Sequence, residues 1–212
     1  MAPTSIYADQ EDPDAQGRWQ RPRSGRRWLK ILLILLILPL LLGAGVALLA
    51  GRPLAFDVVR RMTARKFPEV RWIEHAELAR WREDPSRARP VVLDARTQDE
   101  YAVSHLGEAV RIDPYRPLLR PLRGFSKDTA IVVYGSAGYR GGRVADWLRR
   151  QGYSNVFNLS GGIFQWANVD RPLSRNNGPT TEVHPYDPKW GLLLESKYRI
   201  EAPPVEKRSA AP

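Results

Sequence analysis

Cysteine is absent from all 212 residues. That excludes disulfides, thiolate ligation of a metal and any covalent chemistry carried on a sulfur nucleophile. It leaves the redox compartment open, since an oxidising space and the cytosol both accept a chain without thiols. Histidine is scarce as well: His75, His105 and His184 are scattered along the chain with no ligand spacing, so neither a metal nor a cofactor is expected.

A third absence is charge between residues 31 and 50. The run ILLILLILPLLLGAGVALLA carries none, and at about 1.5 Å per residue it is long enough to cross a hydrocarbon core of roughly 30 Å. Pro39 is tolerable there, because a membrane accommodates a kinked helix. A cleaved signal peptide fits less well: the run exceeds the usual apolar region and no small-x-small cleavage site follows it. Residues 28–51 are therefore expected to be a transmembrane helix, a signal-anchor with the lipid bilayer as partner.

Formal net charge is +10, which raises nucleic acid as a partner until its location is considered. Residues 90–170 hold ten Lys/Arg against eight Asp/Glu, so +8 lies elsewhere, mostly flanking the apolar run. A membrane surface suits that placement, and no nucleic acid is expected. Arg18, Arg21, Arg23, Arg26, Arg27 and Lys30 precede the run, while Arg52, Arg60, Arg61, Arg65 and Lys66 follow it. The charges nearest the span favour a cytoplasmic N-terminal side, which places the remainder outside the cytoplasm of a bacterial inner membrane.

Either side of the span the chain reads differently. Residues 1–27 are polar and aperiodic, a disordered tail. Residues 52–69 form a basic juxtamembrane linker in which Phe56, Val59, Met62, Thr63 and Phe67 recur at near-helical spacing. Two readings stay open for it: an amphipathic helix on the headgroups, or a solvated helical linker.

From residue 70 short strands alternate with helices. Strands are expected at 70–73, 90–95, 109–112, 131–134 and 155–159, and helices at 74–82, 97–103, 144–148 and 163–166. The apolar run Val91, Val92, Leu93 suits a parallel strand covered on both faces. Thr97 and Glu100 fit a capping box. This alternation means an α/β domain with a central, mostly parallel sheet. After it comes a turn-rich linker and a stretch whose Val183, Tyr186, Trp190, Leu192, Leu193 and Tyr198 are too many for a free tail. Residues 171–200 are thus expected to pack on the domain, and residues 201–212 to be disordered.

The stretch IVVYGSAGYRGGR, residues 131–143, organises the rest. A strand runs into Gly135, Ser136, Ala137, Gly138, Tyr139, Arg140 and Gly141, and a helix follows. Such a loop turns with positive φ and aims successive N–H groups inward at a helix N-terminus, an arrangement that faces an anion. Arg140 and Arg143 would add positive charge beside it.

This loop resembles that of the rhodanese-homology family, in which a nucleophilic cysteine follows the strand, four variable residues come next and an arginine closes the loop. Three further segments resemble the family in the correct order: VVLDAR, ending in Asp94 and Arg96; EYAVSHLGEAVRI, from Glu100; and NVFNLSGGIFQW, ending at Trp166. Gly107 and Glu108 depart from the family's usual proline-glycine pair. The resemblance implies a rhodanese-like, three-layer domain over residues 70–170.

It also implies sulfur transfer, but Gly135 stands where the family has cysteine, so that chemistry is expected to be absent. Asp94 and Arg96 are read as loop support, and His105 as a turn-fixing hydrogen bonder rather than a base. Ser136 lacks an adjacent histidine to activate it. The expectation is a non-catalytic binding or scaffold module for a protein partner, its loop either holding a small anion or kept only because the fold needs it. The alternative is an enzyme, sulfurtransferase-related or phosphatase-like, acting on an anionic substrate through the same loop.

Overall fold

A computed structural model describes residues 25–176 and 178–200, with backbone alone for residues 25–27, 29 and 40–50. The tails expected to be disordered fall outside these residues, except that helix α1 (Gly25–Lys66) already begins at Gly25. Helix α1 is continuous over 42 residues and takes in the uncharged run with its Pro39. Among the described residues no helix is long and apolar enough to cross a membrane.

The chain divides into two compact units, residues 1–48 and 49–212. In the second, five parallel strands form one sheet in the order β1-β5-β4-β2-β3: β1 (Arg71–Ile73), β2 (Val91–Asp94), β3 (Val110–Arg111), β4 (Ile131–Tyr134) and β5 (Val156–Leu159). The central strand β4 is buried along its whole length, which its β-branched run IVV allows. Its Val132 and Tyr134 join one core while Ile131 and Val133 join the other, as period-two alternation demands. Helices α2 (His75–Glu83) and α5 (Gly162–Asn168) pack in the first core, and α4 (Tyr139–Arg150) in the second. The result is the layered α/β architecture with a parallel sheet that the sequence pattern implies.

Helix α3 (Gln98–Val103) starts at the Thr97 and Glu100 capping box, both reciprocal bonds being made. Helix α4 starts five residues earlier than the periodicity indicates, so Arg140, Gly141, Gly142 and Arg143 belong to its first turns and not to a loop. Contact explains the two glycines. A Cβ at Gly141 would lie 2.3 Å from Asn158 Oδ1, and one at Gly142 2.6 Å from Thr63 Cγ2.

The linker reading of residues 52–69 is also corrected. Phe56 and Val59 are buried in the first core of the second unit and Phe67 in the other, and Thr63, spaced with them three or four apart, is buried too, rather than presented to headgroups; Met62 is exposed. Burying each large side chain stabilises by roughly 1.5–3 kcal/mol, enough to hold this end of α1 on the domain. The segment following α5 is a hairpin, β6 (Leu173–Arg175) and β7 (Gly178–Thr180), where a turn-rich linker was expected. Beyond it Val183, Leu193, Leu194 and Tyr198 are buried in the first core, whereas Leu192 is 65% exposed.

Candidate functional site

The loop Gly135, Ser136, Ala137, Gly138 leaves the carboxyl end of β4 and enters α4, the end of the sheet where open α/β folds place ligands. Gly138 takes φ 114°, a left-handed conformation that costs a side-chain-bearing residue dearly. Three bonds hold the loop from below. Gly135 and Ser136 carbonyls accept the N–H groups of Ile163 and Phe164 at 3.0 Å each, and Asn158 Nδ2 donates to the Gly138 carbonyl at 2.9 Å. The approach of α5 requires glycine, since a Cβ at Gly162 (φ 54°) would lie 2.2 Å from the Gly135 oxygen.

In a trans peptide C=O and N–H point opposite ways. With the carbonyls of 135 and 136 turned to α5, the N–H groups of Ser136 and Ala137 face away from it. Among the described residues, no acceptor meets the N–H groups of residues 136–141. A Cβ built on Gly135 would stand 3.1 Å from both the Gly141 nitrogen and Arg140 Cβ. The first turn of α4 therefore wraps the point where a side chain at 135 would begin.

Arg140 does not serve as a free cation. Its Nη1 and Nη2 donate to Glu100 Oε2 and Oε1 at 2.7 and 2.6 Å, a bidentate pair buried at the end of β4. Burial alone would raise the Glu100 pKa. The Arg140 bonds and charge, with Arg96 behind them, outweigh burial and bring it down to about 2. Ser136 Oγ donates to Glu100 Oε1 at 2.9 Å and accepts from Arg140 Nη2 at 2.6 Å. A carboxylate held that low is a poor proton acceptor, so Ser136 has a partner but no base.

Asp94 and Arg96 sit behind this cluster, both fully buried. Arg96 Nη2 donates to Asp94 Oδ2 at 2.7 Å and also to the Ser104 carbonyl, while the Tyr134 hydroxyl donates to Asp94 Oδ2 at 2.6 Å. They tie the ends of β2 and β4 together. Burial, then the Asp94 charge, pushes the Tyr134 phenol well above its ordinary value. His105 Nδ1 lies 3.0 Å from the Leu106 carbonyl, and its ring stacks on Tyr101. No metal-ligating group of side chains occurs among the described residues.

Above the loop lies a cavity of about 330 Å³. Of the predicted loop residues, Ser136, Ala137, Tyr139 and Arg140 form its floor, whereas Gly135, Gly138 and Gly141 do not line it. Arg143, expected beside the loop, lines it too; the other walls come from places the sequence did not connect with the loop: Val59, Met62 and Thr63 of α1, Tyr115, and Tyr186 and Trp190 of the C-terminal extension. Two aspartates shape these walls. Asp113 Oδ1 accepts the N–H groups of Tyr115 and Arg116, and Asp187 Oδ1 those of Lys189 and Trp190, all at 2.8–2.9 Å. His184 Nδ1 accepts the Tyr186 N–H at 3.0 Å. The Tyr186 ring covers the Arg140 guanidinium at 4.5 Å.

The profile of the family described as "Rhodanese-like domain" matches residues 74–169. This segment is a rhodanese-like domain. Over 101 residues the chain is 33% identical to a tRNA uridine(34) hydroxylase of Erwinia tasmaniensis, covering 45% of this chain and 28% of that protein. A protein of the same name from Sodalis glossinidius is 34% identical over 80 residues, 35% and 23% of the two chains. The chain thus spans less than a third of the length of these relatives. The rhodanese-like domain of an Anabaena protein superposes with a TM-score of 0.44 at 21% identity, covering 50% of this chain and 80% of that one.

Proposed function

We propose that this chain is a single-pass, membrane-anchored protein whose rhodanese-like domain binds rather than transfers. One observation carries the reading: the loop is wrapped around position 135, and position 135 is Gly in a chain without a single cysteine. Persulfide chemistry requires a thiolate there, and the neighbouring hydroxyl of Ser136 is bonded to a carboxylate too weakly basic to deprotonate it. The loop N–H groups suit a small anion, and an unidentified protein partner is expected on the exposed face. The uncharged run of residues 31–50 supports a bilayer anchor, with the domain outside the cytoplasm of a bacterial inner membrane. Nucleic acid is not part of this reading.

The test is sulfur transfer from thiosulfate to cyanide by the full chain in detergent, with intact-mass analysis for a covalent sulfur adduct. No turnover above a heat-inactivated control and no adduct are expected; either one detected would end the proposal. Membrane association is tested separately, by whether the chain stays with membranes after carbonate extraction.

A second reading is favoured by the relatives named tRNA uridine(34) hydroxylase. Here the chain would take part in tRNA modification through the segment it shares with them. Nucleoside mass spectrometry of tRNA from cells with and without the gene separates the two readings, and a change in modified uridine would favour the second.

A further inference from the structure

The cavity is too roomy for a bare oxyanion, since about 330 Å³ is the liquid volume of roughly ten waters. What lines it is selective. Tyr115, Tyr186 and Trp190 supply aromatic rings, and Arg140 and Arg143 are its charged residues; among the described residues no carboxylate lines it. Arg140 is occupied by Glu100, whereas Arg143 makes no ion pair among the described residues and lies 5.5 Å from the Tyr115 ring. The position of Tyr186 is also imposed. Its backbone is left-handed at φ 68°, an outlier for a bulky residue, and the His184 bond together with the ring on Arg140 hold it there.

We propose that this cavity binds a planar aromatic anion, its ring against Tyr186 and Trp190 and its acidic group on Arg143. An organic cation, the usual guest of an aromatic cage, is disfavoured because guanidinium groups already lie over Tyr186 and Tyr115. A neutral aromatic would leave Arg143 unpaired. The inference rests on the loop cavity being a binding site, as proposed above, and specifies what enters it.

The experiment uses the full chain in phosphatidylcholine nanodiscs, with empty nanodiscs as the control for partition into lipid. Naphthalenesulfonate, naphthalenemethanol, benzyltrimethylammonium and inorganic sulfate are titrated in parallel by calorimetry. Naphthalenesulfonate is expected to bind at least about tenfold more tightly than each of the other three. Trp190→Ala weakens it by roughly tenfold, and Arg143→Gln by about fivefold with an unchanged thermal midpoint. Arg143 is exposed at the cavity rim, so its variant keeps the test valid if Trp190→Ala misfolds. Equal affinity for sulfate, for the neutral probe or for the cation overturns the inference, as does naphthalenesulfonate binding that survives Arg143→Gln undiminished. Sulfur turnover would instead remove the non-catalytic reading and leave these titrations to stand or fall alone.

Discussion

The floor of the cavity is held by buried ionic and main-chain bonds, whereas its roof is held by short turns. On the floor, Glu100 and Arg140 are almost wholly enclosed and the loop carbonyls are fixed to α5. In the roof, Tyr115 is 55% exposed, and Tyr186 and Trp190 are only partly buried. Varying an enclosed, hydrogen-bonded group costs stability, while an exposed turn residue can be varied at little cost. The floor is therefore the part on which the fold depends more, and the roof the part more open to variation.

The sharpest way to break that contrast is Arg96→Met, which leaves the Asp94 carboxylate buried with Tyr134 as its remaining side-chain donor. A loss of about 3–5 kcal/mol in urea unfolding is expected. A loss below 1 kcal/mol would mean that the floor is no more constrained than the roof.

Glu100→Gln comes next. The folded-state pKa of Glu100, about 2, lies below its ordinary value of 4.5. Its contribution is thus fully present above pH 4.5 and disappears as the pH falls toward 2. By linkage this amounts to about 3 kcal/mol. Other carboxylates, Asp113 among them, are also held below their ordinary range, so both chains should lose stability across the window, the wild type by about that much more than the variant. Because the substitution releases Arg140, sulfate affinity should rise even as stability falls.

Gly135→Cys probes the floor more gently. With Cβ contacts at 3.1 Å, a small readjustment costing about 1 kcal/mol is expected. If the N–H groups of 136–141 converge there, the new thiol ionises below its usual value of about 8.5, read from alkylation rate against pH. An unshifted thiol would mean that they do not. The smallest effect belongs to the roof: Tyr186→Gly relieves a left-handed backbone while losing a half-buried ring, so net stability should stay within about 1 kcal/mol. Aromatic-anion affinity should nonetheless fall.

How much of this was legible in the sequence depends on range. Strands β2, β4 and β5, the Thr97 capping box and the loop at 135 announce themselves through local alternation and turn chemistry. The start of α4 did not, because glycine is a poor helix former and Gly141-Gly142 read as loop; Asn158 and Thr63, distant in sequence, are what require them. The pairing of Glu100 with Arg140 spans forty residues, and periodicity carries no information at that distance. The apolar stripe of α1 was visible, but its destination was not: lipid and protein core look alike to a hydrophobic pattern. The same limit hid Tyr186 and Trp190, which were recognisable as packing residues without any sign of what they would cover.

The family match stops at residue 169 and starts at 74, so Met62, Tyr186 and Trp190 all fall beyond its limits. Two proteins alike across that interval share a common base plate but not the fittings above it. A fragment trimmed to those limits would keep Tyr115, Arg140 and Arg143 and strip the cavity of Val59, Met62, Thr63, Tyr186 and Trp190, leaving its charged side standing without most of its apolar one.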